Sequence, residues 1–235
     1  SIIPLKITFS SLTIISNSKW LANILKKSYL KKYPIEVINS GISINDFHPR
    51  NIFNIEEKYQ LNDKFVILGV ANQWKLRKGL ADFLSVYKLL ENDAQIILVG
   101  LTRKQINKLP RGIIGIERTE SLDELAELYS LADVFINPTY EDNFPTTNLE
   151  ALACGTPVIT YNTGGSPEAI DGQTGFVVQN GDIPGLISSI KIIKEKGKES
   201  FSTACVKRAR QLFNKEDRYK EYINMYENLS NNKRY

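Results

Sequence analysis

Asn137-Pro-Thr-Tyr-Glu-Asp-Asn-Phe-Pro-Thr-Thr-Asn-Leu-Glu-Ala-Leu-Ala-Cys-Gly-Thr-Pro-Val158 is the stretch from which the rest of the chain can be read. The apolar run Asp133 to Ile136 feeds a loop dense in Asn, Asp, Thr and Pro. A short helix follows, Gly155 and Pro157 stop it, and Val158 to Thr160 opens another strand. Strand, loop, helix and strand make a βαβ unit, and ligands of open parallel sheets sit beyond the carboxyl ends of the strands. Asp142 and Glu150 bracket the loop with seven residues between them. A helix starting near Thr146 and Thr147 presents unpaired N–H groups and partial positive charge, which suit a phosphate. Carboxylates for hydroxyl groups beside a helix end for phosphate point to a sugar-phosphate ligand. The same residues also fit a plainer role. Thr147-x-x-Glu150 has the form of a capping box, worth about 1 kcal/mol, and Asp142 with Asn143 can make an Asx-type turn.

Outward from this unit, Phe65–Val70, Ala94–Val99, Ile113–Ile116, Asp133–Ile136, Pro157–Thr160 and Phe176–Val178 read as strands buried on both faces. Helical stripes lie between them: Leu80, Phe83, Leu84 and Tyr87, then Leu122, Leu125, Ala126 and Tyr129. The second opens on the capping box Ser121-x-x-Glu124. Alternation of this kind predicts an α/β fold, a Rossmann-like doubly wound parallel sheet. No Gly-x-Gly-x-x-Gly follows the first strand, which argues against a dinucleotide cofactor. With 235 residues, 42% hydrophobic and 24% charged, the chain can bury one full core and part of a second. No apolar run approaches the ~20 residues of a membrane span, and no signal peptide precedes the first expected strand. A net charge of +4 permits an anionic ligand or lipid surface without requiring nucleic acid. Cys154 and Cys205 lack CxxC or His partners, so no metal site is expected and buried thiols in a reducing cytoplasm are.

After the first strand of the sheet comes Ala71-Asn-Gln-Trp-Lys-Leu-Arg-Lys-Gly79, with a helix expected from about Gly79. Lys78 just ahead of a helix N-terminus opposes the macrodipole unless an anion lies between them. Gly164-Gly165-Ser166-Pro167-Glu168 is either a plain tight turn or a place where backbone comes close to a ligand. Nearer the start, which carries no Met, Leu12–Ser16 reads as a strand and Ser18 caps a helix to about Tyr29. Lys26, Lys27, Lys31 and Lys32 at its end form a solvated face or a weak patch for an anionic membrane surface. Pro34 to Ile42 is a short strand with a Gly turn, followed by Phe47-His48-Pro49; the lone His48 reads as a linker residue. The final helix carries Tyr219, Tyr222, Ile223, Tyr226 and Leu229 at helical spacing, which reads as a core stripe.

The opening stretch resembles the signature of retaining glycosyltransferases of family 4, which have the GT-B fold: Glu, seven residues, Glu, then Ala-x-Ala-Cys-Gly-x-Pro-Val. Glu150-Ala-Leu-Ala-Cys-Gly-Thr-Pro-Val158 matches the second half residue for residue, whereas Asp142 stands at the leading Glu. Asn143-Phe144-Pro145 replaces the usual Gly-Phe-Gly, and Pro145 has no N–H to offer. Lys78-Gly79 matches the family's Lys-Gly, and Gly164-Gly165-Ser166-Pro167-Glu168 its Gly-Gly-x-Pro-Glu. Asn72 or Gln73 stands where the family carries an Arg, leaving Arg77 or Lys75 to supply part of that charge.

The resemblance implies the C-terminal half of a GT-B fold. Residues 1–49 would be a remnant and linker of the N-terminal acceptor domain, 50–212 the nucleotide-sugar-binding domain, and 213–235 a crossover helix. The implied activity transfers a hexose from a UDP- or GDP-sugar to a saccharide or lipid-linked acceptor in surface polysaccharide or lipopolysaccharide synthesis. It would proceed with retention, without a tightly bound cofactor or metal, in the cytoplasm or at the inner face of its membrane. Lys78 and Asp142 would serve catalysis, Lys78 by stabilising the leaving diphosphate. Glu150 would hold the ribose. Arg77, Asn72, Asn143, Phe144, Thr146 and Thr147 would complete the donor site, with base recognition near Ile116 to Arg118. The acceptor domain or subunit would lie outside this sequence. A sugar-nucleotide epimerase of the same architecture, or a non-catalytic nucleotide-sugar-binding subunit, carries the same residues.

Overall fold

The computed structural model describes residues 12–61, 64–90 and 93–231; the first eleven residues of the expected leading segment lie outside them. In chain order the elements are β1 (Ile14–Ser16), α1 (Lys19–Leu25), β2 (Ile35–Val37), α2 (Phe53–Tyr59), β3 (Phe65–Val70), α3 (Leu80–Tyr87), β4 (Ala94–Val99), α4 (Arg103–Ile106), β5 (Ile113–Ile116) and α5 (Leu122–Leu131). There follow β6 (Val134–Asn137), α6 (Thr146–Ala153), β7 (Val158–Tyr161), β8 (Gly175–Val178), α7 (Ile183–Lys196), α8 (Glu199–Phe213) and α9 (Lys215–Asn231).

Six strands form one parallel sheet in the order β5-β4-β3-β6-β7-β8. The α/β, doubly wound expectation is met, and the first three strands match the apolar runs residue for residue. They are legible because a strand covered on both faces is apolar at nearly every position. β3 lies between β4 and β6, so chain order reverses there and a crevice opens at the β3/β6 carboxyl ends. β6 begins one residue later than expected, because Asp133 turns its carboxylate onto the Val66 amide at 2.7 Å. Helices α2, α5, α6 and α8 pack in succession, while α3 packs on α7.

β1 and β2 pair in a separate two-stranded parallel sheet. The passage after β2 lies along the α8–α9 junction, where the Ile42 amide donates to Phe213 O at 2.8 Å and the Lys215 amide to Ile42 O at 2.9 Å. Helix α1 stops at Leu25, short of the expected Tyr29. The Ser28 side chain instead caps a 3-10 turn, Tyr29–Lys32, by accepting from the Leu30 amide. The aromatic stripe of the last helix is not core. Tyr219, Ile223 and Tyr226 are each more than half exposed, and Met225 is the buried residue of α9. Helical spacing shows that a stripe exists, not that this chain carries the surface that covers it. Among the described residues no helix is long and apolar enough to cross a membrane.

Candidate active site

At the β3/β6 crevice lies a cleft of about 420 Å³. Asn72, Arg77 and Lys78 line it from the segment after β3; Asp142, Phe144, Thr146 and Thr147 line it from the segment before α6 and the helix start. Seven of the expected site residues therefore meet across one opening. Asn143 is exposed on the same loop outside this lining, and Arg118 is exposed after the edge strand β5. Glu150 is half-buried on α6, one turn below Thr146 and also outside the lining.

Backbone contacts build the two walls. Leu76–Lys78 is a 3-10 turn ended by Gly79 in a left-handed conformation, φ 74°. A Cβ on Gly79 would stand 2.2 Å from the Pro138 carbonyl oxygen, so a side chain there would force the walls apart. The Arg77 carbonyl accepts from the Tyr140 amide at 2.8 Å, and the Arg77 guanidinium donates to the Glu141 carbonyl at 2.9 Å. Across the opening, Lys78 Nζ meets Asp142 Oδ2 at 2.6 Å, both side chains being about four-fifths covered. Asp142 Oδ1 also accepts from the Phe144 amide at 3.2 Å, so the Asx-type turn forms.

The capping box anticipated at Thr147 and Glu150 does not form, because α6 starts two residues too early for it. Pro145 takes the cap position and offers no side-chain acceptor. The first-turn amides of Thr146 and Thr147 therefore face the cleft mouth without a side-chain cap. Glu150 turns elsewhere: Tyr129 on α5 donates its hydroxyl to Oε2 at 2.9 Å, and Thr146 supplies a second hydrogen bond. Burial holds the Glu150 carboxyl above its usual range, with both hydroxyls pulling the other way. The box at Ser121 is half made: Ser121 Oγ accepts from the Glu124 amide, while Glu124 reaches the Glu120 amide, one residue off.

Below the cleft, a buried polar network escaped the sequence reading. Asn137 Nδ2 donates to Asn148 Oδ1 at 2.8 Å, Asn148 Nδ2 donates to Ser166 Oγ at 3.0 Å, and Ser166 Oγ lies 2.6 Å from Thr160 Oγ1. It ties α6 to β6, β7 and the turn after β7. The one available signal was an Asn on an otherwise apolar helix face. The Gly164-Gly165 turn comes close to protein, not open space: added Cβ atoms would lie 1.7 Å from Asp142 O and 2.0 Å from Asn143 O. Glu168 accepts from the Lys19 and Trp20 amides at 2.9 and 2.8 Å, capping α1 from 148 residues away in sequence.

A doubly wound α/β sheet with a lysine and an uncapped helix start at its switch point offers the positive charge and free N–H groups that suit a phosphorylated ligand. The chain belongs to the family described as glycosyl transferases group 1, whose model matches residues 64–195. Over 237 residues it is 27% identical to the capsular polysaccharide biosynthesis glycosyltransferase CapM of Staphylococcus aureus, a match covering 93% of this chain and 62% of that protein. Among solved structures, a glycosyltransferase from Rickettsia africae superposes with a TM-score of 0.84 at 21% identity, covering 95% of this chain and 65% of that one. Anabaena HepE in complex with UDP-glucose gives 0.79 at 18% identity, covering 92% and 64%. The chain thus spans less than two thirds of the length of each of these proteins.

Proposed function

We propose that this chain is the donor-binding part of a retaining glycosyltransferase. It moves a hexose from a UDP- or GDP-sugar to a saccharide or lipid-linked acceptor in surface polysaccharide or lipopolysaccharide synthesis, with the acceptor site on a further domain or subunit. Residues up to 49 are the connection to that part, and α9 is its crossover helix. The observation that carries this is the position of Lys78 across the cleft from the uncapped start of α6. A diphosphate in the cleft takes Lys78 from Asp142 and adds the Thr146 and Thr147 amides. When the anomeric C–O bond breaks, the electron pair remains on the phosphate oxygen, where the ammonium and the helix dipole stabilise it. Released from Lys78, Asp142 accepts from hydroxyls of the transferred sugar, and Glu150 accepts from the ribose beside Thr146. The family membership supports this over an epimerase, and the UDP-glucose bound by HepE supports a nucleotide-sugar donor.

A calorimetric screen of UDP-, GDP- and ADP-sugars tests it. The UDP- or the GDP-sugar is expected to bind, and Glu150→Gln is expected to weaken that binding about tenfold, the worth of a hydrogen bond to a charged group. Because Lys78 and α6 carry the leaving-group charge, transfer by the complete enzyme is expected to survive EDTA. A chain that binds none of the donors, or a Glu150→Gln variant of wild-type affinity, defeats the assignment.

A further inference from the structure

We propose that Tyr129 is a positioning residue for the donor site: its phenol hydroxyl holds the Glu150 carboxylate in the orientation in which it accepts the ribose hydroxyls. The proposal rests on the ribose role given to Glu150 above and adds a residue that sequence spacing marks only as core.

Tyr129 is fully buried on α5, and its ring is clamped edge-on by Phe47 at 6.1 Å and Phe135 at 5.4 Å. Its backbone carbonyl accepts from the Thr156 hydroxyl, which fixes the helix end as well. A ring held in this way cannot follow the carboxylate, so the carboxylate must come to it. Phenylalanine would fill the same space without a polar atom to satisfy. The hydroxyl at this position is spent on Glu150 Oε2 at 2.9 Å, and Thr146 binds the same carboxylate from the cleft side. A carboxylate has about four acceptor sites, so two such donors orient it and leave capacity for a ligand diol. The titratable groups that face Glu150 are Tyr129 from α5 and Cys154 one turn further along α6, with Lys198 and Arg50 near Cys154. Burial pushes the tyrosine well up and the thiol up to about 12, so neither titrates where a carboxyl does. Removing the tyrosine hydroxyl takes away a bond that favours the ionised form, and Glu150 must then protonate at higher pH.

Tyr129→Phe in the full chain tests this, titrated with whichever of UDP, GDP and ADP the wild type binds most tightly. Affinity at pH 7 is expected to fall about tenfold, and the acid-side loss of affinity to move to higher pH. In a Glu150→Gln background the same change is expected to have no further effect on affinity. A purely packing role would lower affinity equally in both backgrounds and leave the pH profile in place, and either result overturns the proposal. A ligand-free check is the carboxyl ¹³C titration of Glu150, whose midpoint is expected to rise in Tyr129→Phe; an unchanged midpoint also overturns it. A wild-type chain that binds none of the three nucleotides refutes the donor-site assignment, while the ¹³C titration still decides the coupling.

Discussion

The two ends of α6 come from one continuous motif and are built in opposite ways. At the N-terminal end, Pro145 leaves the helix uncapped, Thr146 and Thr147 face the cleft, and Lys78 stands across the opening paired with Asp142. At the C-terminal end, Cys154 is buried, Gly155 turns left-handed at φ 80°, and α8 packs over both. A lysine sits there too. Lys198 donates to the Ser130 carbonyl at the end of α5, and burial draws its amine down to about 8, with Asp133 and the nearby thiols opposing. One lysine is held by a carboxylate where a ligand can reach it; the other is desolvated against a helix end. The half of the motif that matches the family signature residue for residue holds α6 in place. The half that departs from it, with Asp142 and Pro145, forms the cleft.

Substitutions at the two ends should separate accordingly. Lys78→Ala is expected to weaken donor binding about a hundredfold, by loss of a charge-assisted contact, with unfolding free energy changed by less than about 1 kcal/mol. Calorimetry and urea unfolding on one preparation check both; a large stability loss would make Lys78 a structural residue. Gly155→Ala is expected to do the reverse. The left-handed backbone and a Cβ 2.4 Å from Ser202 Oγ should cost about 2 kcal/mol in urea unfolding while donor affinity stays within twofold.

The smallest effect is a pH dependence at Lys198. Its folded-state pKa of about 8 lies below the ordinary lysine value, so the unfolded chain binds the extra proton between the two. Stability therefore rises with pH across that window. Wild type is expected to gain about 1.4 kcal/mol on Lys198→Met between pH 7 and pH 9, measured by urea unfolding at each pH. A constant difference would mean that Lys198 is not desolvated.

What could be read from residues alone follows from the range of the interactions. The strands β3, β4 and β5 announce themselves because burial in the sheet makes nearly every position apolar. The cleft was legible because Lys78, Asp142 and Thr146 belong to loops that a doubly wound sheet must bring to one edge. The Lys78–Asp142 pair was not, since it joins residues 64 apart in sequence whose separate roles both looked complete. The role of Glu168 was not legible for the same reason: its partners are backbone amides of α1, which leave no side-chain signature. The capping box at Thr147 failed by two residues, because a Ser/Thr-to-Glu spacing does not say where the helix begins. Tyr129 was read as core and is core, but periodicity cannot show where a hydroxyl points.

The proposed function requires a diphosphate lying against the start of α6. Amide NMR of the full chain, titrated with UDP and with GDP, observes that contact directly. For the nucleotide that binds, the largest shifts are predicted at Lys78, Thr146 and Thr147, with Gly155 and Lys198 unmoved. Saturable shifts that cluster away from the helix start, and leave Thr146 and Thr147 in place, would contradict it.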